Sequence, residues 1–340
     1  MDWNDRPTLV TGGAACIGSA LVTQLIQRGA RVRVVDDLSN GRREYVQDHI
    51  DTGNLEFIEG DLLDQQVARA SVDGINAVFH LAADHGGRGY VQTHQLAPAT
   101  NMALDGMLFK AAKEAGVEHI VYASSGCIYP NYIQEDLTEE LYLTEDKAGP
   151  PYDADNMYGW AKLMAEMTLK AYAEEGGMKT GSARYFTVYG PRATVSHAVI
   201  AMIARAYIRQ APYVIWGTGE QLRNWTHVDD IVEGTIKTME HIADGSAVNI
   251  GTMERIRVID AARTICEYLG YADVEFEPHP EMPTGPLNRI ADNQLAAKLF
   301  DGWRPQTTFA AGVKRTADWF TSTYSTSEVE AQLAEALLGK

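Results

Sequence analysis

The chain has 340 residues, 45% of them hydrophobic, with 46 acidic against 29 basic side chains and a formal net charge of -17. That length and apolar content can fill the core of one large domain or two closely packed ones, whereas the acidic excess, with no basic run or stripe, argues against nucleic acid as a partner. No run approaches 18 uninterrupted apolar residues, the segment Met1 to Pro7 lacks a basic region, and Cys16, Cys127 and Cys266 are far apart with no CxxC, so neither a membrane span, a secretion signal nor a metal site is expected, and the location is read as cytoplasmic.

In chain order, Thr8 to Thr11 is a short apolar strand, followed by Gly12-Gly13-Ala14-Ala15-Cys16-Ile17-Gly18 and an amphipathic run from Ser19 to Gly29. Strand, glycine-rich turn and helix in that order make a dinucleotide phosphate site, because the turn amides and the helix N-terminus favour the pyrophosphate charge. A second strand, Arg31 to Asp36, ends in an acid at the spacing where a carboxylate takes the adenosine ribose hydroxyls. Asp36 would repel a 2'-phosphate, so NAD is preferred to NADP. Ala15 stands where a second glycine would let the backbone approach the phosphates.

Leu55 to Ile58 is a third strand, and Asp61 beyond it either caps the next helix or meets the adenine. Ala77 to Ala83 is a fourth. Alternation with helical stretches gives an α/β fold with a Rossmann-type, doubly wound parallel sheet. The loop Asp84-His85-Gly86-Gly87-Arg88-Gly89-Tyr90 leaves the fourth strand at the cofactor edge, where its glycines permit close approach to a ligand. His85 and Arg88 are ligand contacts there, or solvated loop residues. A helix from about Pro98 to Gly116 then leads into the β-branched run His119 to Ser125, a buried strand that delivers Ser125 and Cys127 to the ligand edge.

Tyr158-Gly159-Trp160-Ala161-Lys162 lies in a helical stretch from about Asp155 to Glu175. Four-residue spacing puts Tyr158 and Lys162 on one face, where an ammonium favours the phenolate and lowers the tyrosine pKa from about 10. Together with the dinucleotide turn and the serine at the strand end, the pair points to proton transfer from a substrate hydroxyl.

With these residues in place the chain resembles the extended short-chain dehydrogenase/reductase family, the nucleotide-sugar epimerases and dehydratases. The likeness runs through Thr11 to Gly18, Asp36, His80-Leu81-Ala82-Ala83, Ser125, Tyr158 and Lys162. It continues through Arg184 to Pro191, Trp225 to Asp230, Asn249-Ile250-Gly251, and Arg289 with Asp292. It implies an NAD-binding Rossmann domain over 1–180 and a mainly substrate-binding domain over 181–340, with the boundary near Gly181 and segments crossing back. It implies NAD contacts from Gly12, Ala15, Cys16, Ile17, Gly18, Asp36, Asn40, Asp61, Leu62, Leu81, Ala82, Ala83, Tyr158 and Lys162. Tyr158 is then the base, Lys162 positions the nicotinamide ribose and Ser125 orients the substrate hydroxyl. A GDP- or UDP-sugar is held by Gly86, Gly87, Arg88, Ser125, Cys127, Thr187, Arg223 and Arg289, the last two gripping the diphosphate bidentately. A homodimer through the two long helices is also implied.

Within the family, Ala82 to Gly89 and Ala123 to Pro130 look like the corresponding runs of the GDP-mannose 3,5-epimerases, and Cys127 falls on their catalytic cysteine. Oxidation of the sugar C4 hydroxyl by NAD makes the C3 and C5 protons acidic, so one group can remove a proton and another return one to the opposite face. A cysteine, with a pKa of about 8.5, serves in either role. The lysine that follows Tyr-Gly-Pro in those enzymes is missing, and His197 stands in its stretch as the second acid or base, or as a helix-cap residue. Thr187 replaces the usual asparagine. One rival reading is a UDP-hexose 4-epimerase in which Cys127 only shapes the pocket; another is a non-catalytic nucleotide-binding module, against which Tyr158 and Lys162 both speak. The acidic helix after Ser325 is expected to fray or to contact a partner.

Overall fold

The structure is a computed structural model that describes residues 1–337. Its central sheet holds β1 (Pro7–Thr11), β2 (Arg31–Asp36), β3 (Leu55–Glu59), β4 (Ala77–His80), β5 (His119–Ser125), β6 (Lys179–Tyr185) and a seventh strand, Ala247–Ile250. In space the order is Ala247–Ile250, β6, β5, β4, β1, β2, β3, with every pairing parallel. The chain winds outward from β1 on one side and from β4 on the other. The crevice beyond the carboxyl ends of β1 and β4 is therefore the switch point at which doubly wound sheets bind ligands.

Both faces of this sheet are covered, which is why β4 and most of β5 are apolar without alternation. Helices Cys16–Gln27 and Val228–His241 pack one face, and helices Gln65–Val72, Asn101–Glu114 and Asn156–Glu174 the other. A separate core gathers helices Ala198–Tyr207, Val258–Tyr268 and Phe309–Thr323 around Tyr213, Ile215 and Trp225. The helix Thr326–Leu337 docks on this second core through buried Val329 and Leu333.

Three local expectations shift. The long helix starts at Asn101, after a short helical turn, Leu96–Ala99. The cap of helix Gln65–Val72 is Asp64, which accepts from the Gln66 amide at 2.7 Å, while Asp61 accepts from the Leu63 amide in the turn before it. Gly181 lies inside β6, a strand whose buried Ser182 and Arg184 disguise it as a polar stretch.

Arg184 is tolerated there because it is paired. It donates to both carboxylate oxygens of Glu166, at 3.0 and 2.8 Å, and to the Tyr129 hydroxyl at 3.1 Å. Burial opposes its charge, but Glu166 outweighs that cost and raises the guanidinium pKa. Ser124 also donates to Glu166, so the pair fastens helix Asn156–Glu174 to β5 and β6. Glu166→Ala would leave a buried guanidinium uncompensated, and urea denaturation is expected to show a loss of about 3–5 kcal/mol.

Candidate active site

The cofactor cradle is built from the absence of side chains. Gly12 has φ +65°, and a Cβ on it would lie 2.9 Å from the Ala82 amide nitrogen; one on Gly18 would lie 2.1 Å from the Gly12 carbonyl oxygen. Turn, helix and β4 end thus meet at distances open to glycine alone. No side chain caps helix Cys16–Gln27, which leaves its first amides for an anion. Ala15 precedes that helix in extended backbone (φ -92°, ψ -178°), so its methyl group needs no strained conformation. Asp36, 6% exposed at the end of β2, accepts from the Ala14 and Leu38 amides, both at 2.9 Å. Burial raises its pKa and these two bonds oppose the rise. A glycine cradle, uncapped amides and a carboxylate beside them fit a dinucleotide. Leu62 is buried, while Asn40 and Asp61 remain exposed.

A buried chain of hydrogen bonds braces the cradle from below. The Thr11 hydroxyl accepts from the Leu81 and Ala82 amides, both at 3.0 Å, so its own proton goes to His80 Nδ1, 2.7 Å away. His80 Nε2 then donates to Asp105 at 2.9 Å, and the Tyr122 hydroxyl donates to the other Asp105 oxygen at 2.9 Å.

At the end of β5 the Ser125 hydroxyl accepts from the Cys127 amide at 3.1 Å and turns the chain through the single 3-10 turn Gly126–Ile128. Helix Asn156–Glu174 docks directly on that turn. The Asp155 amide donates to the Cys127 carbonyl at 2.8 Å, and a Cβ on Gly159 would sit 2.3 Å from the same oxygen. This seats Tyr158 and Lys162 beside Cys127. Lys162 Nζ donates to the Ala123 carbonyl at 2.8 Å and lies 4.5 and 5.6 Å from the Tyr122 and Tyr158 ring centroids. Burial pushes Lys162 down to about 8, against the pull of Asp105, Cys127 and Glu166. Burial likewise pushes Tyr158 well above its usual value, with Cys127 adding to the rise and the hydrogen bond to Ser125 opposing it. The spacing argument that Lys162 lowers the phenol pKa is therefore corrected: desolvation of the phenolate dominates here.

Two guanidiniums meet at one carboxylate next to Cys127, and a third, that of Arg223, lies near them. Arg289 donates to the Cys127 sulfur at 3.2 Å and to Gln134 at 2.8 Å, and its remaining nitrogen lies 3.2 Å from Asp155 Oδ2. Arg88 donates to that same oxygen at 2.7 Å. Burial raises Asp155, but Arg289 and Arg88 outweigh it and hold the carboxyl below its usual range. Arg223, paired in register with Arg289, donates only to the carbonyls of Leu222 and Thr284. Burial, then Arg289 and Arg88, push its pKa down to about 9. Three cations against one anion leave two positive charges, the complement of a diphosphate.

The remaining residues come from two loops locked together, since a Cβ on Gly87 would lie 1.7 Å from the Ser196 carbonyl oxygen. Gly86 packs against the Tyr90 ring, and Arg88 begins a short helix, Arg88–Thr93. His197 occupies the cap position of helix Ala198–Tyr207 without capping it, and its ring faces His85 at 5.9 Å between centroids. Thr187 is half-buried and offers its carbonyl to the Thr226 amide. Ser125, Cys127, Tyr158, Lys162, Arg88, Arg223 and Arg289 thus form one assembly. Asp155 and Gln134 were missed by sequence reasoning. Asp155 stood in the sequence only as the approximate start of a helical stretch, and nothing local marked Gln134.

Residues 8–251 match the model of the NAD dependent epimerase/dehydratase family. The chain belongs to that family. GDP-mannose 3,5-epimerase 1 of Oryza sativa subsp. japonica is 30% identical over 91% of this chain and 80% of its own length. The UDP-N-acetyl-alpha-D-glucosaminuronate decarboxylase of Bacillus cytotoxicus is also 30% identical, over 92% of this chain and 97% of its own. Among solved structures, the Thermotoga maritima UDP-glucose 4-epimerase with UDP-glucose superposes with a TM-score of 0.81 at 30% identity, covering 93% of this chain and 99% of that one. The family relationship makes the chain an NAD-dependent enzyme of the nucleotide-sugar epimerase/dehydratase type. It does not choose among these reactions, because an epimerase at two carbons, a decarboxylase and a 4-epimerase are equally similar to it.

Lys162, 2% exposed, gives a pH test. Between its lowered pKa of about 8 and its ordinary 10.5 the unfolded chain binds a proton that the folded chain does not, so stability rises with pH across that window. Lys162→Met removes this dependence. Urea denaturation is expected to show the wild-type protein gaining up to about 3 kcal/mol on the variant between pH 8 and 10.5.

Proposed function

We propose that this protein is an NAD-dependent nucleotide-sugar epimerase that works through a transient 4-keto sugar and inverts C3, C5 or both, as in the GDP-mannose 3,5-epimerases. The observation that carries this reading is the Cys127 sulfur, held by Arg289 in the same packed unit as Tyr158 and Lys162. It puts a second acid–base group next to the Tyr158–Lys162 pair, which inversion at C4 alone does not need.

The glycine cradle and Asp36 would hold NAD, which would supply a reversible hydride acceptor for the sugar C4. Tyr158 takes the C4 hydroxyl proton as its phenolate while Ser125 orients that hydroxyl; burial opposes the phenolate, and the charge of Lys162 beside the ring offsets part of that opposition. Arg223 and Arg289 hold the diphosphate, with Arg88 close by, leaving the sugar over Cys127 and Tyr158. Cys127 removes the proton of the carbon next to the ketone, and a proton that comes by way of His197 reaches the other face. Return of the hydride leaves an epimer with no net redox change.

A second reading, a UDP-hexose 4-epimerase, draws on the near full-length likeness to the Thermotoga maritima enzyme. The two separate in deuterated water. A panel of GDP- and UDP-sugars, followed by NMR and mass spectrometry, is expected to show solvent deuterium at C3 or C5, and Cys127→Ser is expected to lower that incorporation by about 10²–10⁴-fold while C4 oxidation persists. Inversion at C4 without label would favour the 4-epimerase. Binding of NAD and sugar nucleotides in calorimetry with no turnover would favour a regulatory module.

The three cysteines are free thiols, which suits the reducing cytoplasm proposed as the site of action. Among the described residues no helix is long and apolar enough to cross a membrane. A homodimer is proposed through helices Asn101–Glu114 and Asn156–Glu174. Trp160, Met164 and Met167 recur at helical spacing with 37%, 45% and 38% exposure, and Met102 on the neighbouring helix is 40% exposed. Such a stripe is an interface signature. Sedimentation is expected to show a dimer for the wild-type protein and a monomer for Met164→Glu.

A further inference from the structure

His85 is a half-buried imidazole in the Gly-rich loop after β4, and the reaction proposed above leaves it unused. Among the described residues it makes no side-chain hydrogen bond, yet two groups of the candidate site act on it. Its ring faces that of His197, with centroids 5.9 Å apart and planes at 53°. The Lys162 ammonium opposes its protonation, after burial and His197. The contact of Gly87 with Ser196 holds the two histidine-bearing loops together. His197 in turn reaches solvent. Its Nδ1 lies 3.2 Å from the Thr194 hydroxyl and 3.3 Å from that of Ser196, and both residues are exposed.

We propose that His85 is a further catalytic residue that forms, with His197, a proton relay running from the Thr194 and Ser196 hydroxyls at the surface to the sugar beside Lys162. A neutral imidazole carries an acceptor on one nitrogen and a donor on the other, so it passes a proton inward by taking one and releasing the other. The relay requires one water molecule between the rings to carry the proton across. Burial first, then His197 and Lys162, push His85 down to about 3, so it stays neutral in the pH range where the relay works.

The balance closes over one turnover. Cys127 takes a proton from the carbon next to the C4 ketone, and the electron pair passes into the enolate. As the relay delivers a proton to the opposite face of that carbon, water at Thr194 and Ser196 gives one in, so both imidazoles stay neutral and the hydroxide left behind is neutralised by the proton that Cys127 gives up. Cys127 returns its proton to solvent. His85 is the group nearer the sugar in this scheme, and His197 refills it.

The inference rests on the epimerase reading, and its test separates the two. Holoenzyme of the wild-type protein and of His85→Gln is given, in deuterated water, a sugar nucleotide that the wild-type protein labels. Deuterium incorporation is followed by NMR, and C4 oxidation by the transient absorbance of the reduced nicotinamide. The relay predicts that His85→Gln lowers deuterium incorporation about 100-fold or more, leaves C4 oxidation in place, and recovers label when imidazole is added to the buffer. His197→Gln is expected to show the same pattern. Unchanged incorporation in His85→Gln overturns the relay and leaves the epimerase reading standing. Parallel loss of C4 oxidation and labelling, with no rescue by imidazole, also overturns it, because His85 would then only support the loop. A wild-type protein that labels no sugar nucleotide removes both.

Discussion

The site depends on one close approach, that of helix Asn156–Glu174 to the Cys127 carbonyl. Gly159 faces that oxygen where even a methyl group would be 2.3 Å away, and the neighbouring Asp155 amide donates to it. Tyr158 is adjacent to Gly159 and Lys162 is one turn on, so their positions relative to Cys127 are set by a backbone contact. Side-chain adjustment has no part in it. Asp155 then closes a ring: its carboxylate holds Arg289, and Arg289 returns to the sulfur of Cys127. A larger residue at 159 would move the two halves of the chemistry apart together.

Around that ring the charges are arranged at a cost. Arg88 and Arg289 share a single buried carboxylate while Arg223 beside them has only backbone carbonyls, and desolvation of so many cations is unfavourable until an anion joins them. The depressed pKa of Arg223 records that cost. On the proposed reading a nucleoside diphosphate supplies the missing negative charges, which turns that desolvation into binding affinity. The glycine cradle follows the same logic in neutral form, with amides and a helix end left uncapped. Both anion sites lie at the carboxyl edge of the sheet and converge on the end of β5.

What could be read from the sequence was what is local. The strand and helix around Gly12 to Gly18, the acid at Asp36, the pairing of Tyr158 with Lys162 and the hydroxyl and thiol that end β5 are patterns of spacing within one or two elements. The ring through Asp155, Arg289 and Cys127 joins segments remote in sequence, so no periodicity announces it. The same holds for His85 and His197. β6 was obscured because its Arg184 is polar by composition and buried by pairing with Glu166. Lys162 taught the opposite lesson: the helical geometry was right, but burial, which spacing does not encode, reversed the expected effect on Tyr158.

The central claim is that hydride and proton travel separately, the hydride through NAD at C4 and the proton through Cys127 at a neighbouring carbon. Turnover in ordinary water of a nucleotide sugar carrying deuterium at both C4 and the inverted carbon tests it in one mass spectrum. The account predicts that product keeps the C4 label in full and loses the other to solvent. Loss of the C4 label, or retention of both, would contradict it.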